Sequence, residues 1–141
     1  MITYTHEPDN KFTTTAKSGF PSPALDYLEE RIDLNRELVE HPLSTVFVHY
    51  GGRAMSGAFI PPEAKLLVDK SLKPENGSIV VAVIDNRFIV RFLRKNQQKA
   101  WLVAADRKHP DIEITNRPDV TIWGVVKNII TDAKHLAKCM L

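Results

Sequence analysis

The sequence predicts a mainly β domain entered through one helix. From Thr45 onward, short runs rich in Val, Ile, Phe and Trp recur, each bounded by Gly, Pro, Asn or Asp, as strands separated by turns are. Before them, Leu25, Leu28, Ile32 and Leu38 recur at helical spacing. The 141 residues, 43% of them apolar, suffice for one core without disulfide staples.

Taken in order, residues 1–18 read as a flexible arm. They are polar, run into Thr13, Thr14 and Thr15, and offer only Ile2, Tyr4 and Phe12 as anchors, too little burial to offset the entropy of ordering them. Residues 19–141 form the core domain. Within it, Ser22 can cap a helix and Pro23 fits its first position. Asp26, Glu29 and Glu30 follow where the helix dipole favours acids. His41-Pro42 stops the pattern, because the residue before proline avoids helical geometry. This predicts a single helix over 23–39. Strands are expected at 45–50, 65–69, 78–85, 87–93, 100–105, 112–115 and 120–130. The clearest hairpin is SIVVAVID-NR-FIVRFL, turning at Asp85-Asn86-Arg87. The last strand carries Val120, Ile122 and Val126 alternating with Thr121 and Lys127, while Trp123 and Val125 interrupt the alternation. A strand apolar on both faces is covered by the core or by another chain.

Composition excludes several classes. The formal charge is +2, from 19 basic and 17 acidic residues, which gives no basic surface of the kind nucleic-acid binders carry. Direct sequence-specific DNA binding is therefore not expected. No apolar run approaches the roughly 18 residues of a membrane span, and no membrane partner is expected. The N-terminus lacks a signal-peptide core, which makes the cytoplasm the expected compartment. Cys139 stands alone, against an internal disulfide or a zinc site built on cysteine pairs. There is no phosphate loop, no dinucleotide-binding glycine pattern and no helically spaced histidine pair, so neither cofactor nor metal is expected. His6, His41, His49, His109 and His135 are scattered and read as surface residues, and Trp101 and Trp123 as core.

Two places are more specific. One is Lys17-Ser18-Gly19-Phe20-Pro21-Ser22-Pro23, where arm meets helix. The other pairs FVHYGGRAM (47–55) with RFIVRFL (87–93). Gly51-Gly52 after a strand permits a sharp turn that aims the following side chains into a cleft.

At these residues the chain resembles the UmuD branch of the LexA-like serine peptidases. GFPSPALDYLEERIDLNRELVEHP is similar to the start of the UmuD core, LLVDKSLKPENGSIVVAVIDNRFIVRFL to its catalytic hairpin, and TIWGVVKNII to its closing strand. The resemblance runs from Gly19 to about Lys134. It implies a compact LexA/UmuD C-terminal-domain-like β fold, and an accessory subunit of an error-prone translesion DNA polymerase made in the SOS response. It also implies self-cleavage stimulated by the recombinase filament on single-stranded DNA, with the cut at Ser18-Gly19.

The family chemistry is a serine–lysine dyad, in which a neutral lysine takes the serine proton. The family serine lies in a Gly-Asp-Ser-Met turn, which matches Gly52-Arg53-Ala54-Met55. The family lysine lies in a Phe-x-Val-Lys strand, which matches Phe88-Ile89-Val90-Arg91. The nucleophile position is thus Ala54 and the base position Arg91. Alanine has nothing to attack with, and arginine stays protonated. The neighbouring acid is replaced by Arg53. Ser56 is the nearby hydroxyl and reads as a loop serine. A buried Arg91 would need Asp69, Glu63 or a backbone carbonyl as acceptor; otherwise its guanidinium extends to water along an open groove.

The expectation is a catalytically dead subunit acting by protein binding. The resemblance implies a homodimer and a UmuC-like translesion polymerase as partner, with the recombinase filament and the replicative polymerase clamp as further partners. The alternatives are a self-cleaving peptidase using another nucleophile, and a regulator that forms heterodimers with an active UmuD-like sibling.

Overall fold

The computed structural model describes residues 31–140. The chain divides at Glu40/His41 into two units, taken separately.

In the first unit, α1 spans Leu34–Leu38. Asp33 caps it: its carboxylate accepts from the backbone N–H of Asn35 (3.1 Å) and Arg36 (3.3 Å). Residues 31–33 are not helical. A single helix over 23–39 therefore does not run through this stretch; a strong capping residue within the periodic pattern sets the helix start at Leu34. Ile32, expected on a buried face, is 44% exposed. Leu25 and Leu28 lie outside the described residues.

In the second unit, seven strands form one antiparallel sheet. They are β1 (Thr45–His49), β2 (Lys65–Asp69), β3 (Ile79–Ile84), β4 (Arg87–Lys95), β5 (Ala100–Val103), β6 (Ile112–Glu113) and β7 (Thr121–Ile130). Their spatial order is β1-β2-β7-β3-β4-β5-β6. The domain is mainly β, as predicted. The β3–β4 turn is Asp85-Asn86, both with positive φ (51° and 61°), the geometry of a two-residue hairpin turn that matches strand twist. Arg87 already pairs with Ile84 and belongs to the strand.

The sheet buries both faces. Val81 of β3 joins Met55, Ile60, Leu66, Val68 and Val90 in one cluster; its neighbours Val80 and Ala82 join Leu93, Leu102 and Val125 in another. Successive strand residues point to opposite faces, so β3 is apolar throughout because both sides are covered. The first cluster is completed by the loop after β1, which contributes Tyr50, Met55 and Ile60.

β7 lies between β2 and β3, which use both its edges. Its broken alternation has a structural cause. Opposite β3 the pairing passes from Gly124 to Ile122, skipping Trp123; opposite β2 it passes from Asn128 to Val126, skipping Lys127. Each skip is a bulge that inserts one residue and resets the facing of those beyond it. Trp123 and Trp101 are half-buried rather than core. Lys70 lies over Trp123 (4.9 Å) and Arg94 over Trp101 (4.8 Å), so each half-buried indole meets a cation on one face.

A second helix, α2 (Ala133–Met140), follows β7 and was not expected. Asp132 precedes it and accepts from the backbone N–H of His135 and Leu136. No helix among the described residues is long and apolar enough to cross a membrane.

Candidate functional site

The loop after β1 is closed on itself. Tyr50 N–H donates to the Ala64 carbonyl (2.8 Å) and Glu63 N–H donates back to Tyr50 (2.6 Å). Inside it, Ala58 and Ile60 both donate to the Met55 carbonyl (2.9 and 3.2 Å), building a 3-10 turn at Ser56–Ala58. Ala105 N–H donates to the Ala54 carbonyl (2.8 Å) and ties the loop to the segment after β5. Gly57 makes that approach workable, because a Cβ there would stand 2.6 Å from the Ala105 carbonyl oxygen.

This loop and the β3–β4 hairpin enclose a cleft of about 360 Å³. Gly52, Arg53 and Ala54 border it from the loop, His49 and Tyr50 from the end of β1, Phe88 and Arg91 from β4, and His109 from the connection after β5. The structure thus brings together four of the residues singled out in the sequence: Gly52, Arg53, Ala54 and Arg91. Met55, expected in the cleft, does not border it. It is fully buried in the core cluster, since an unbranched apolar side chain is worth more inside than on a polar rim. Ser18 and Gly19 lie outside the described residues.

Arg91 is only 9% exposed. Of the three acceptors considered, the structure uses a backbone carbonyl: Nη1 donates to Val90 at 2.8 Å. Asp69 is taken elsewhere. It accepts from Ser71 Oγ (2.7 Å), Ser44 Oγ (3.0 Å) and His41 Nδ1 (2.6 Å). Burial alone would raise its pKa, but these hydrogen bonds outweigh desolvation and hold the carboxyl well below the usual range. The Glu63 carboxylate lies 3.2 Å from His135 Nε2. Arg91 Nε has no hydrogen-bond partner among the described residues.

Tyr50 is a cleft residue that sequence reading missed. It is 7% exposed, and its hydroxyl is shielded, with no hydrogen-bond partner among the described residues. Burial raises its pKa, opposed by the Arg91 charge. Its ring fills the space beside Gly52, where a Cβ would come within 2.7 Å of the hydroxyl oxygen. Nothing in FVHYGGRAM says whether that tyrosine turns inward; a glycine two positions on was the available signal.

No Ser, Thr, Cys or Lys borders this cleft among the described residues. Ser56 borders a different, larger hollow of about 860 Å³ with Phe59, Ile129, His135 and Leu136. Its hydroxyl donates to the Arg53 carbonyl at 2.9 Å, within its own turn. Two imidazoles, His49 and His109, stand at the cleft, and His109 Nδ1 is bound to Asp106 at 2.8 Å. The described residues offer this cleft cations and a phenol, and no aliphatic hydroxyl, thiol or amine.

Residues 11–127 match the family described as Peptidase S24-like. Protein ImpA of Escherichia coli is 34% identical over 125 residues, covering 89% of this chain and 85% of that one. Protein MucA of Escherichia coli is 35% identical over 116 residues, 82% of this chain and 79% of that one. The LexA repressor of Ectopseudomonas mendocina is 27% identical over 114 residues, 80% of this chain and 55% of the repressor.

Proposed function

The chain belongs to the Peptidase S24-like family, and we propose that within it this is a UmuD-like accessory subunit of an error-prone translesion DNA polymerase that acts by binding, without self-cleavage. One observation carries this reading: the cleft bordered by Ala54 and Arg91 holds no serine, threonine, cysteine or lysine among the described residues. A Ser–Lys peptidase needs a hydroxyl to attack and an amine that can be neutral to accept its proton. At the matching positions stand a methyl group and a guanidinium that stays charged at any working pH. Ser56 does not rescue the chemistry, since its hydroxyl is turned into its own loop.

A domain with this family's fold and without its nucleophile acts through its surfaces. The partners proposed are a second copy of the chain and a UmuC-like polymerase, with the recombinase filament and the replicative clamp as further contacts, in the cytoplasm during the response to DNA damage. Co-sedimentation of the purified full chain with a UmuC-like polymerase tests the partnership. A complex that survives dilution to micromolar concentration is expected. Independent sedimentation of the two proteins at tens of micromolar would overturn it.

A further inference from the structure

Two hydrogen-bond donors lack acceptors in one place. Arg91 Nε and the Tyr50 hydroxyl are both shielded from solvent and have no hydrogen-bond partner among the described residues, and both residues border the cleft after β1. Folded proteins pair nearly all such groups, so two orphans at one cleft point to a ligand that pairs them. Arg91 is the stronger pointer. It is more than nine-tenths buried, and its hydrogen bond to Val90 goes to a neutral carbonyl. Its charge has no counter-ion at the cleft among the described residues, and buried charges are normally paired.

A second guanidinium stands nearby. Arg53 borders the same cleft from the exposed side, with the imidazoles of His49 and His109. No Asp or Glu borders it among the described residues. The nearby carboxylate, Asp106, is engaged by His109. Val48, Val81 and Phe88 supply apolar wall, which strengthens any charge–charge contact made inside.

We propose that this cleft binds a small oxyanion, the carboxylate or phosphate group of a ligand, with Arg91 as its counter-ion, the Tyr50 hydroxyl as a second donor and Arg53 at the rim. A guanidinium fork matches the paired oxygens of either group. Burial raises the Tyr50 pKa, so the phenol keeps the proton it must donate. A volume of about 360 Å³ accepts such a group with a residue or a small substituent attached. The site requires no bond making or breaking, and it stands on the two orphaned donors rather than on the polymerase partnership.

The test is a nuclear magnetic resonance titration of the isotopically labelled full chain at constant ionic strength. The probes are sodium phosphate, N-acetyl-alanyl-alanine as the free acid, the same dipeptide as its amide, and sodium chloride. The Arg91 Nε–H resonance should shift saturably with phosphate, with the free acid, or with both. It should not shift with the amide or chloride. Phosphate alone assigns the site to phosphate groups, and the free acid alone to carboxylates. Tyr50→Phe and Arg53→Gln should each weaken binding about threefold to tenfold. Arg91→Met should abolish it, and the two milder variants keep the test open should that one fail to fold. No saturable shift with either anion at tens of millimolar would overturn the proposal. So would an equal response to chloride, or affinity unchanged in both Tyr50→Phe and Arg53→Gln.

Discussion

Ala54, from the loop after β1, and Arg91, from β4, border the same cleft, and neither carries a group that can attack a carbonyl or accept a proton from a hydroxyl. Ala54 is 3% exposed and packed, so a serine there would add one oxygen to a tight wall rather than to open water. Ala54→Ser alone is expected to leave the chain intact, because Arg91 cannot act as base. Ala54→Ser with Arg91→Lys is expected to give slow cleavage between Ser18 and Gly19, read by intact mass. Cleavage by the single variant would mean that another group, such as His49, serves as base.

Asp69 makes folding stability depend on acid pH. Its folded pKa lies below the ordinary 3.8, so the folded state binds this proton less readily than the unfolded chain does. The stability it contributes is complete above the unfolded value and is lost as pH falls below about 4 toward the folded value. Urea unfolding followed from pH 7 down to pH 2 should show this decline. Asp69→Asn should be less stable at neutral pH, with the gap to the parent narrowing as pH falls. A gap that stays constant across the range would show that the carboxylate charge is not what Ser44, Ser71 and His41 hold.

Gly57 sets the distance between the cleft loop and the segment after β5. A methyl group there meets the Ala105 carbonyl at 2.6 Å, backbone rather than flexible side chain. Gly57→Ala is expected to cost about 1–3 kcal/mol, measured by thermal or denaturant unfolding. Unchanged stability would mean that the loop shifts freely and does not hold Ala54 in place.

Ile129, near the end of β7, is 37% exposed beside Phe59, which is 88% exposed. The proposed homodimer would use a self-complementary patch, and these side chains supply apolar surface for one. The chain should sediment as a dimer of about 32 kDa, twice the 16.0 kDa of one copy. Ile129→Asp should shift it to monomer by about tenfold or more in dissociation constant. A parent chain that is monomeric at tens of micromolar would contradict the dimer.

The seven strands were legible because each is a short β-branched run closed by turn residues, as in IVVAVI before Asp85-Asn86. What was not legible depends on contacts between distant segments. The bulges at Trp123 and Lys127 exist only relative to β3 and β2, so the sequence displayed their result, a broken alternation, without the cause. α2 carried a weak signal, Asp132 before a run of helix formers, masked by its adjoining the long strand. The helix over 23–39 overreached because Asp33, inside the apolar periodicity, caps a helix that begins at Leu34. Gly52, Arg53, Ala54 and Arg91 could be aligned through the resemblance to the family's motifs, and the fold places them on one cleft. Tyr50 could not, since its inward turn depends on the space left by Gly52.

The most direct measurement of the central claim is the intact mass of the purified full chain after incubation with recombinase filaments on single-stranded DNA, and separately at alkaline pH. The parent mass of 16.0 kDa should persist unchanged under both conditions. A product beginning at Gly19, formed by this protein alone, would contradict the loss of chemistry at Ala54 and Arg91.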